Sequence, residues 1–169
     1  MKAINTLIGS CAVLFATTVI SDESPVKFPE NYATTYTNYL SLDRTQNPDQ
    51  TIRLFANDVA MQGPGADGKL PFGSIIVAEV YKAKLDDEGK AVKSSLGPRI
   101  QDKFALVAVM QREEGWGEKN APTIRNGNWE MGAFKPDGTV AGKDLNACLA
   151  CHAPLTDTNF LFSYDHLKQ

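Results

Sequence analysis

Residues 73–81 read Gly-Ser-Ile-Ile-Val-Ala-Glu-Val-Tyr, a run rich in β-branched side chains. Such side chains are stiff at χ1 and pack well on a pleated surface, so they favour a strand over a helix. Residues 86–89, Asp-Asp-Glu-Gly, then supply a turn. The middle of the chain is therefore predicted to contain a strand that ends in a turn.

Segments on both sides of this strand have the same character. Residues 51–56, 104–111 and 128–134 are predicted strands, because they combine β-branched, aromatic and apolar residues in short runs. Residues 136–138, Pro-Asp-Gly, predict a further turn. The middle of the chain is thus expected to be a β-sheet whose neighbouring strands are antiparallel.

Helical patterns are expected only near the two ends of the chain. Residues 31–42 carry aromatic and apolar side chains at helical spacing, and residues 144–153 predict a second helix. Asn57 or Asp58 could cap a short segment at residues 59–61. This order predicts an α+β fold, a predominantly antiparallel β-sheet with flanking helices.

The first 21 residues differ from the rest of the chain. Met1-Lys2 is a short positive start, residues 4–20 are uncharged and apolar or small, and the polar residues 21–25 follow directly. This layout is typical of a secretory signal peptide, and the apolar segment is short for a membrane span. We therefore predict a signal peptide over residues 1–21, a single mature domain over residues 22–169 and a periplasmic location.

Composition limits the classes of partner. The chain has 169 residues, of which 43% are hydrophobic and 22% charged, with a net charge of −3, which suits one domain with a packed core. Charges of both signs are mixed along it, so nothing points to nucleic acid or a membrane surface. Apolar runs in the mature domain are too short to cross a bilayer. Removal of the signal peptide would take Cys11 away and leave two cysteines.

Those two cysteines belong to residues 148–152, Cys-Leu-Ala-Cys-His, which is the attachment motif of c-type haem. Two thiols separated by two residues lie on one helical turn, where both can add to the vinyl groups of a single haem. The histidine that follows can offer its imidazole to the iron from the same side. The motif predicts one covalent haem c on Cys148 and Cys151, with His152 as the proximal iron ligand on a helix near the C-terminus.

Two other kinds of site use similar residues. A dithiol redox motif normally follows a strand in a thioredoxin-like βαβ unit, and no such unit surrounds Cys148 and Cys151. A zinc site needs four ligands, and only His166 could join the motif. Together with the export signal, these considerations favour haem.

The second axial position of the iron bears on function. Electron-transfer cytochromes commonly fill it with methionine, but Met61, Met110 and Met131 all precede His152. His166 lies in a polar C-terminal stretch and is expected to stay off the iron. We therefore predict an open sixth position, with a simple electron carrier that has a protein sixth ligand as an alternative.

A C-terminal haem motif on a β-rich chain resembles the cytochrome P-460 and cytochrome c′-beta family. The resemblance extends through residues 53–57 (Arg-Leu-Phe-Ala-Asn), residues 70–81 and Asn128-Trp129, and so covers nearly all of the mature chain. It implies a mostly antiparallel β fold with flanking helices and a five-coordinate haem c. It also implies either hydroxylamine oxidation or the binding of nitric oxide and carbon monoxide.

For the hydroxylamine-oxidising branch, the resemblance implies a lysine cross-linked to the haem macrocycle and a distal carboxylate. Aligned by eye, Ala78 takes the lysine position and Val107 lies near the carboxylate position. Neither side chain can do that chemistry, and Lys69 and Lys82 are poor substitutes by strand register. The departure favours the gas-binding branch, and no catalytic residue is assigned.

Further haem contacts follow from the same resemblance. Phe55 and Phe72 are candidates for an aromatic wall of the distal pocket, and Ala78 for its lining. Arg53 could pair with a haem propionate through charge-assisted hydrogen bonds. The expected partners are nitric oxide or a related nitrogen-oxide or diatomic ligand and a redox-partner cytochrome, while a homodimer and hydroxylamine oxidation stay open.

Overall fold

The computed structural model describes residues 24–168, so the predicted signal peptide lies outside it. Within this range, five strands form one antiparallel sheet in the order β1-β2-β3-β4-β5, and each strand pairs with its neighbour in sequence. The helices are α1 (Tyr32–Thr35), which precedes the sheet, and α2 (Leu145–His152), which follows it. The strands are β1 (Thr37–Asp43), β2 (Gln50–Ala56), β3 (Ile75–Ala83), β4 (Gln101–Arg112) and β5 (Trp129–Phe134). The predicted α+β fold with a mainly antiparallel sheet is confirmed.

The N-terminal helix is much shorter than predicted. α1 covers a single turn, and most of the remaining predicted helix forms β1 instead. The backbone is already extended at Tyr36, where φ is −99° and ψ is 153°. Thr34, Thr35 and Thr37 lose side-chain freedom in a helix, and pairing with β2 supplies hydrogen-bond partners along the whole segment. Tertiary pairing therefore overrides the helical spacing of the aromatic residues.

The other predicted elements lie within a few residues of their expected places. The turn after β3 is closed by a hydrogen bond from Gly89 N to Asp86 O at 3.0 Å. The N-cap of the short 3₁₀ helix Ala60–Gln62 is Val59, but Asn57 Oδ1 accepts a hydrogen bond from Ala60 N at 3.0 Å. The same oxygen accepts from Ile75 N at 3.0 Å and so ties the start of this helix to the start of β3.

Side chains alternate between the two faces of the sheet, and residues paired across strands share a face. Ala56, Ile76, Met110 and Met131 form one such row. All four are buried in a cluster that includes Leu149 of α2. We call this side of the sheet the α2 face.

The other side of the sheet, which we call the opposite face, packs against the N-terminal segment. Phe55, Val77 and Val109 form a row there and are buried in a second cluster with Val26 and Tyr32. The rings of Tyr32 and Phe55 meet edge to face at a centroid distance of 5.5 Å. The sheet thus separates two apolar clusters, only one of which contacts α2.

Candidate functional site

α2 begins with a side-chain cap and carries both cysteines. The carboxylate of Asp144 accepts a hydrogen bond from Asn146 N at 3.0 Å, which satisfies one free N–H group of the first turn. Leu149 is 3% exposed and anchors the helix on the α2 face. Cys148 and Cys151 are both free thiols, half-buried and exposed respectively. Their spacing of three residues puts them on one side of the helix.

His152 ends α2, and its imidazole is held by a backbone carbonyl. Its Nδ1 lies 2.8 Å from the carbonyl oxygen of Phe160, and because a carbonyl only accepts, Nδ1 carries the proton and donates. The Phe162 ring meets the imidazole edge to face at a centroid distance of 4.9 Å. Burial lowers the pKa of His152; the hydrogen bond to Phe160 opposes this shift and the charge of Arg44 adds to it. The imidazole is therefore neutral at neutral pH, with the lone pair of Nε2 available to a metal.

The carbonyl that holds His152 belongs to a strained turn. Asn159 and Phe160 are consecutive residues with positive φ, 49° and 63°, and an aromatic residue rarely adopts this conformation. Leu70 N donates to Asn159 Oδ1 at 3.0 Å, and Phe160 N donates to Leu155 O at 2.7 Å. Strain of this kind persists only where surrounding contacts enforce it. The turn thus directs the Phe160 carbonyl at the imidazole.

Part of the α2 face lies beyond the cluster that contains α2 and is only partly covered: Leu54, Val80 and Ala133 are buried there, but their neighbours are not. Two rows of apolar side chains run across the strands beside the row that packs against α2, and no charged side chain stands in either row. Ala78, Leu106 and Ala108 are half-buried there, and Leu42 is 37% exposed. We call the two rows the open apolar patch; its members are Leu40, Leu42, Ile52, Leu54, Ala78, Val80, Leu106, Ala108 and Ala133.

The sequence model of the family described as Cytochrome P460 matches residues 29–163, which include the sheet, α2 and the turn that holds His152. The chain belongs to the cytochrome P460 family. This confirms the family predicted from the sequence, and membership implies a haem cofactor. No curated protein sequence matches the chain significantly.

The residues of this cytochrome fit a haem. A haem macrocycle is flat and apolar, and the open apolar patch is a partly exposed apolar surface on the same side of the sheet as α2. Cys148 and Cys151 are free to bond its vinyl groups, and Nε2 of His152 is the ring nitrogen left for its iron. These three residues could therefore hold the group, as the motif predicts.

Ala78 lies in the open apolar patch, where its predicted role as a lining residue places it. Val107 is fully buried and belongs to the cluster on the opposite face. Because strand residues alternate, the side chains that reach the patch from this part of β4 are Leu106 and Ala108. The expected carboxylate position therefore moves from Val107 to one of these two, and both are apolar.

Arg53 and Phe55 lie on the opposite face, away from α2. Arg53 Nη1 is 3.3 Å from Glu79 Oε2, and the guanidinium lies 5.1 Å from the centroid of the Phe55 ring. Glu79 is 4% exposed and also accepts hydrogen bonds from the hydroxyls of Tyr32 and Tyr81, each at 3.0 Å. The sheet separates this group from the cytochrome's candidate haem site, so the predicted haem contacts of Arg53 and Phe55 find no support in the geometry.

Phe72 lies in the loop before β3 and is 44% exposed. The guanidinium of Arg112 stacks over its ring, 4.2 Å from the centroid. Arg112 is itself buried at the end of β4, where it pairs with Trp129. Phe72 therefore stands at the end of the sheet where β3 begins, and its role as a distal wall stays a prediction.

Three contributors to the candidate site were not predicted from the sequence. The Phe160 carbonyl orients the imidazole of His152, and a backbone contact of this kind leaves no sequence signal. Phe162 packs on the same imidazole although it is 56% exposed, and its only signal is an aromatic ring in the polar C-terminal stretch. Arg44 acts on His152 through its charge, from the connection after β1, for which the sequence predicted no element.

Two cavities flank α2. The larger, of about 540 Å³, lies beside the start of the helix and is lined by Asp144, Leu145 and also Ala133 of the open apolar patch. The smaller, of about 460 Å³, lies beyond the helix end and is lined by Ala153 and Phe160 among others. The larger cavity also reaches around β5 to the opposite face, because Val26 and Phe134 line it as well.

Among residues 24–168, no helix is long and apolar enough to cross a membrane. Nor do three or more histidine, cysteine or acidic side chains there form a group that could hold a metal ion.

Proposed function

We propose that this protein is an exported cytochrome with one haem c, attached through Cys148 and Cys151 and ligated by His152. We further propose that its sixth iron position is open and binds nitric oxide or a related nitrogen-oxide or diatomic ligand. The supporting observation is the 2.8 Å contact between His152 Nδ1 and Phe160 O, which leaves Nε2 as the iron ligand.

The open apolar patch supports the choice of a neutral gas as ligand. Haem iron supplies the bond to such a ligand. The side chains around it decide what else can enter, and Ala78, Leu106 and Ala108 have no hydrogen-bonding groups. Water and anions would lose their hydration there without replacement, whereas a neutral gas loses little. The patch therefore selects against the competitors of a diatomic ligand.

Hydroxylamine oxidation is the second candidate, and the same patch weighs against it. A positioned base contributes about 10²–10⁴-fold to proton transfer, but the two patch rows contain no carboxylate, imidazole or amine. Glu79 is the buried carboxylate of β3, and its side chain is engaged on the opposite face with Tyr32 and Arg53. Ala78 lacks an amine for a cross-link. We expect little or no hydroxylamine turnover.

Spectra and turnover of the mature holoprotein test the proposal. Expression in a host that matures c-type cytochromes should give one haem per chain that resists extraction with acidified acetone. The reduced protein should be high-spin and should bind nitric oxide or carbon monoxide reversibly. Steady-state assays with hydroxylamine and an artificial electron acceptor should show no significant oxidation, and cell fractionation should recover the protein in the periplasm.

Other results would point elsewhere. Extractable haem would contradict covalent attachment. A low-spin spectrum with sharp bands in both oxidation states would indicate a protein sixth ligand and an electron carrier. Robust hydroxylamine turnover with a ferrous band shifted far to the red would indicate a cross-linked enzyme.

A further inference from the structure

A row of polar and basic side chains borders the open apolar patch where β2 begins and β3 ends. Arg44 N donates to Gln50 O at 3.0 Å, and Gln50 pairs with Lys82 across β2 and β3. Because residues paired across strands share a face and alternate along each strand, all three stand on the α2 face, one row beyond the patch. We call this row the basic rim.

The two cations of the basic rim have no acidic partner among residues 24–168. The ion pairs in this part of the chain involve neither Arg44 nor Lys82. Arg44 is half-buried, and its Nη1 donates to Gln50 Oε1 at 2.7 Å; Lys82 is exposed. Arg99 fixes the backbone between β1 and β2, because its Nη1 donates to the carbonyl oxygens of Arg44 and Gln50, both at 3.0 Å. Neither positive charge of the rim is therefore paired with a carboxylate in this part of the chain.

The basic rim and α2 lie on the same side of the sheet, with the open apolar patch between them. Along β3, Ile76 belongs to the cluster that includes Leu149 of α2, Ala78 and Val80 belong to the patch, and Lys82 belongs to the rim. These are successive positions on one face of the strand. One flat group could therefore lie on the patch with one edge at α2 and the other at the rim.

A haem c has two chemically different edges. Its former vinyl groups are bonded to the cysteines, and its two propionates are carboxylates that favour cations and solvent. We propose that Arg44 and Lys82 bind the haem propionates, with the macrocycle on the open apolar patch. This inference rests on the proposed function, since it requires haem attached at Cys148 and Cys151.

The proposal places the propionates on a different residue set from the one the sequence suggested. The family resemblance suggested that Arg53 pairs with a propionate, but Arg53 forms an ion pair with Glu79 on the opposite face. Arg44 offers a planar guanidinium that can bind a carboxylate through two parallel hydrogen bonds, and Lys82 adds a mobile point charge beside it. The basic rim thus supplies one cation for each of the two propionates.

A nearby positive charge also favours reduced over oxidised haem, because reduction removes one positive charge from the iron. Removal of a rim cation should therefore lower the midpoint reduction potential. The potential is a readout that does not depend on turnover or on the identity of the gas ligand.

Charge-removing variants of the holoprotein test the proposal. Arg44→Gln and Lys82→Gln should each shift the midpoint potential to more negative values, and the double variant should shift it further. The propionate bending bands in the resonance Raman spectrum should shift in the same variants. Lys119→Gln is the matched control, since Lys119 is exposed in the β4–β5 connection, at the other end of the sheet. Arg44→Lys should recover part of the potential.

The outcomes separate this proposal from the proposed function. Unchanged potentials and propionate bands in haem-loaded Arg44→Gln and Lys82→Gln would overturn the proposal while leaving a haem c protein. An equal shift of the midpoint potential in Lys119→Gln would indicate a general effect of net charge and would overturn the proposal. A shift of the potential and the propionate bands in Arg53→Gln alone would overturn the proposal, because it would place the propionates on the opposite face. A wild-type protein without covalent haem would contradict the proposed function itself.

Discussion

At the scale of single residues, His152 shows how a backbone carbonyl can fix the tautomer of an imidazole that is proposed to bind iron. The imidazole is buried enough to be neutral, and the hydrogen bond to Phe160 O selects the tautomer with its lone pair on Nε2. The carbonyl is presented by a residue with a φ of 63°, which an aromatic side chain normally avoids. The strained backbone of Phe160 thus lies next to the imidazole that is proposed to bind the iron.

Replacement of His152 tests its role directly. His152→Ala should leave haem attached, because the two thioether bonds involve Cys148 and Cys151, but should change the optical spectrum in both oxidation states. His166→Ala is the control, since His166 is exposed in the 3₁₀ helix Tyr164–His166, and its spectrum should match wild type. Intact mass and absorption spectra of both variants provide the measurement. A wild-type spectrum in His152→Ala would show that another residue is the proximal ligand.

Substitution of Ala78 tests which side of β3 the haem contacts. Ala78 is half-buried in the open apolar patch, so the amine of Ala78→Lys should reach the macrocycle. Addition of a two-electron oxidant such as hydrogen peroxide should then form the cross-link that the family resemblance implies, because replacing a macrocycle C–H bond by a C–N bond releases two electrons and two protons. Ala78→Gln is a control of similar size without a nucleophilic amine. After proteolysis, the peptide with residue 78 should stay bound to the haem peptide in the lysine variant only. Free peptide in both variants would mean that residue 78 does not face the haem.

At the scale of elements, α2 depends on the loops packed around its end. Asn126 Nδ2 donates to Leu149 O at 2.9 Å, which ties the helix to the β4–β5 connection. The next residue, Gly127, has a φ of 60° and lies against the ring of Phe160. The loop before β5 therefore supports both the helix and the turn that orients His152.

An alanine at position 127 should disturb this support. Its Cβ would lie 2.9 Å from Phe160 Cε2, a distance at which the ring must move. Gly89→Ala is the matched control, because Gly89 also has positive φ but nothing within 4 Å of the added Cβ. Gly89→Ala should lower the free energy of unfolding by about 1–2 kcal/mol from backbone strain alone.

Gly127→Ala should lower the free energy of unfolding by more than the control and should also change the haem spectrum. Denaturant unfolding and absorption spectra of the two holoprotein variants measure both effects. Equal destabilisation, with unchanged spectra, would show that the Phe160 turn does not depend on position 127.

At the scale of the whole molecule, the sheet has two unlike sides. The opposite face is closed by the N-terminal segment and holds the buried group of Glu79, Arg53, Tyr32 and Tyr81. The α2 face is closed at one end by α2 and the C-terminal segment and is open at the other. Both sides therefore contribute to the core, and the proposed haem site uses the part of the α2 face that the core leaves open.

Alkaline pH should destabilise the fold through its buried tyrosines. Burial raises the pKa of Tyr39 to about 12, an effect that its hydrogen bond to Ser163 partly opposes. Burial also raises the pKa values of Tyr32, Tyr36 and Tyr81. Unfolded tyrosine ionises near pH 10. The folded state therefore retains more protons above that pH, and stability falls as pH rises from about 10 to 12.

For Tyr39 the loss should be about 1–2 kcal/mol, allowing for its partial exposure. Unfolding free energies measured from pH 8 to pH 12 (roughly the range of tyrosine ionisation) should decline in wild type. The decline should be shallower in Tyr39→Phe. An identical slope in the two proteins would assign the alkaline loss to other groups.

The sequence by itself determined the family and the class of the fold, and it predicts the chemistry of the motif. Cys148, Cys151 and His152 are recognisable because their spacing in the chain is the property that haem attachment uses. The strands are recognisable because β-branched residues prefer the pleated backbone locally. Both signals act between neighbours in sequence, so neither needs tertiary contacts to be read.

Only the tertiary structure decided which residues face the candidate site. Alternation along a strand shows that Arg53 and Leu54 point to different sides, but it does not say which side α2 covers. That choice depends on the cluster in which Leu149 is buried together with Ile76 and Met110, residues from segments far apart in the chain. For the same reason, the end of the predicted first helix became an edge strand, and the basic rim that contains Arg44 formed only when β1, β2 and β3 paired.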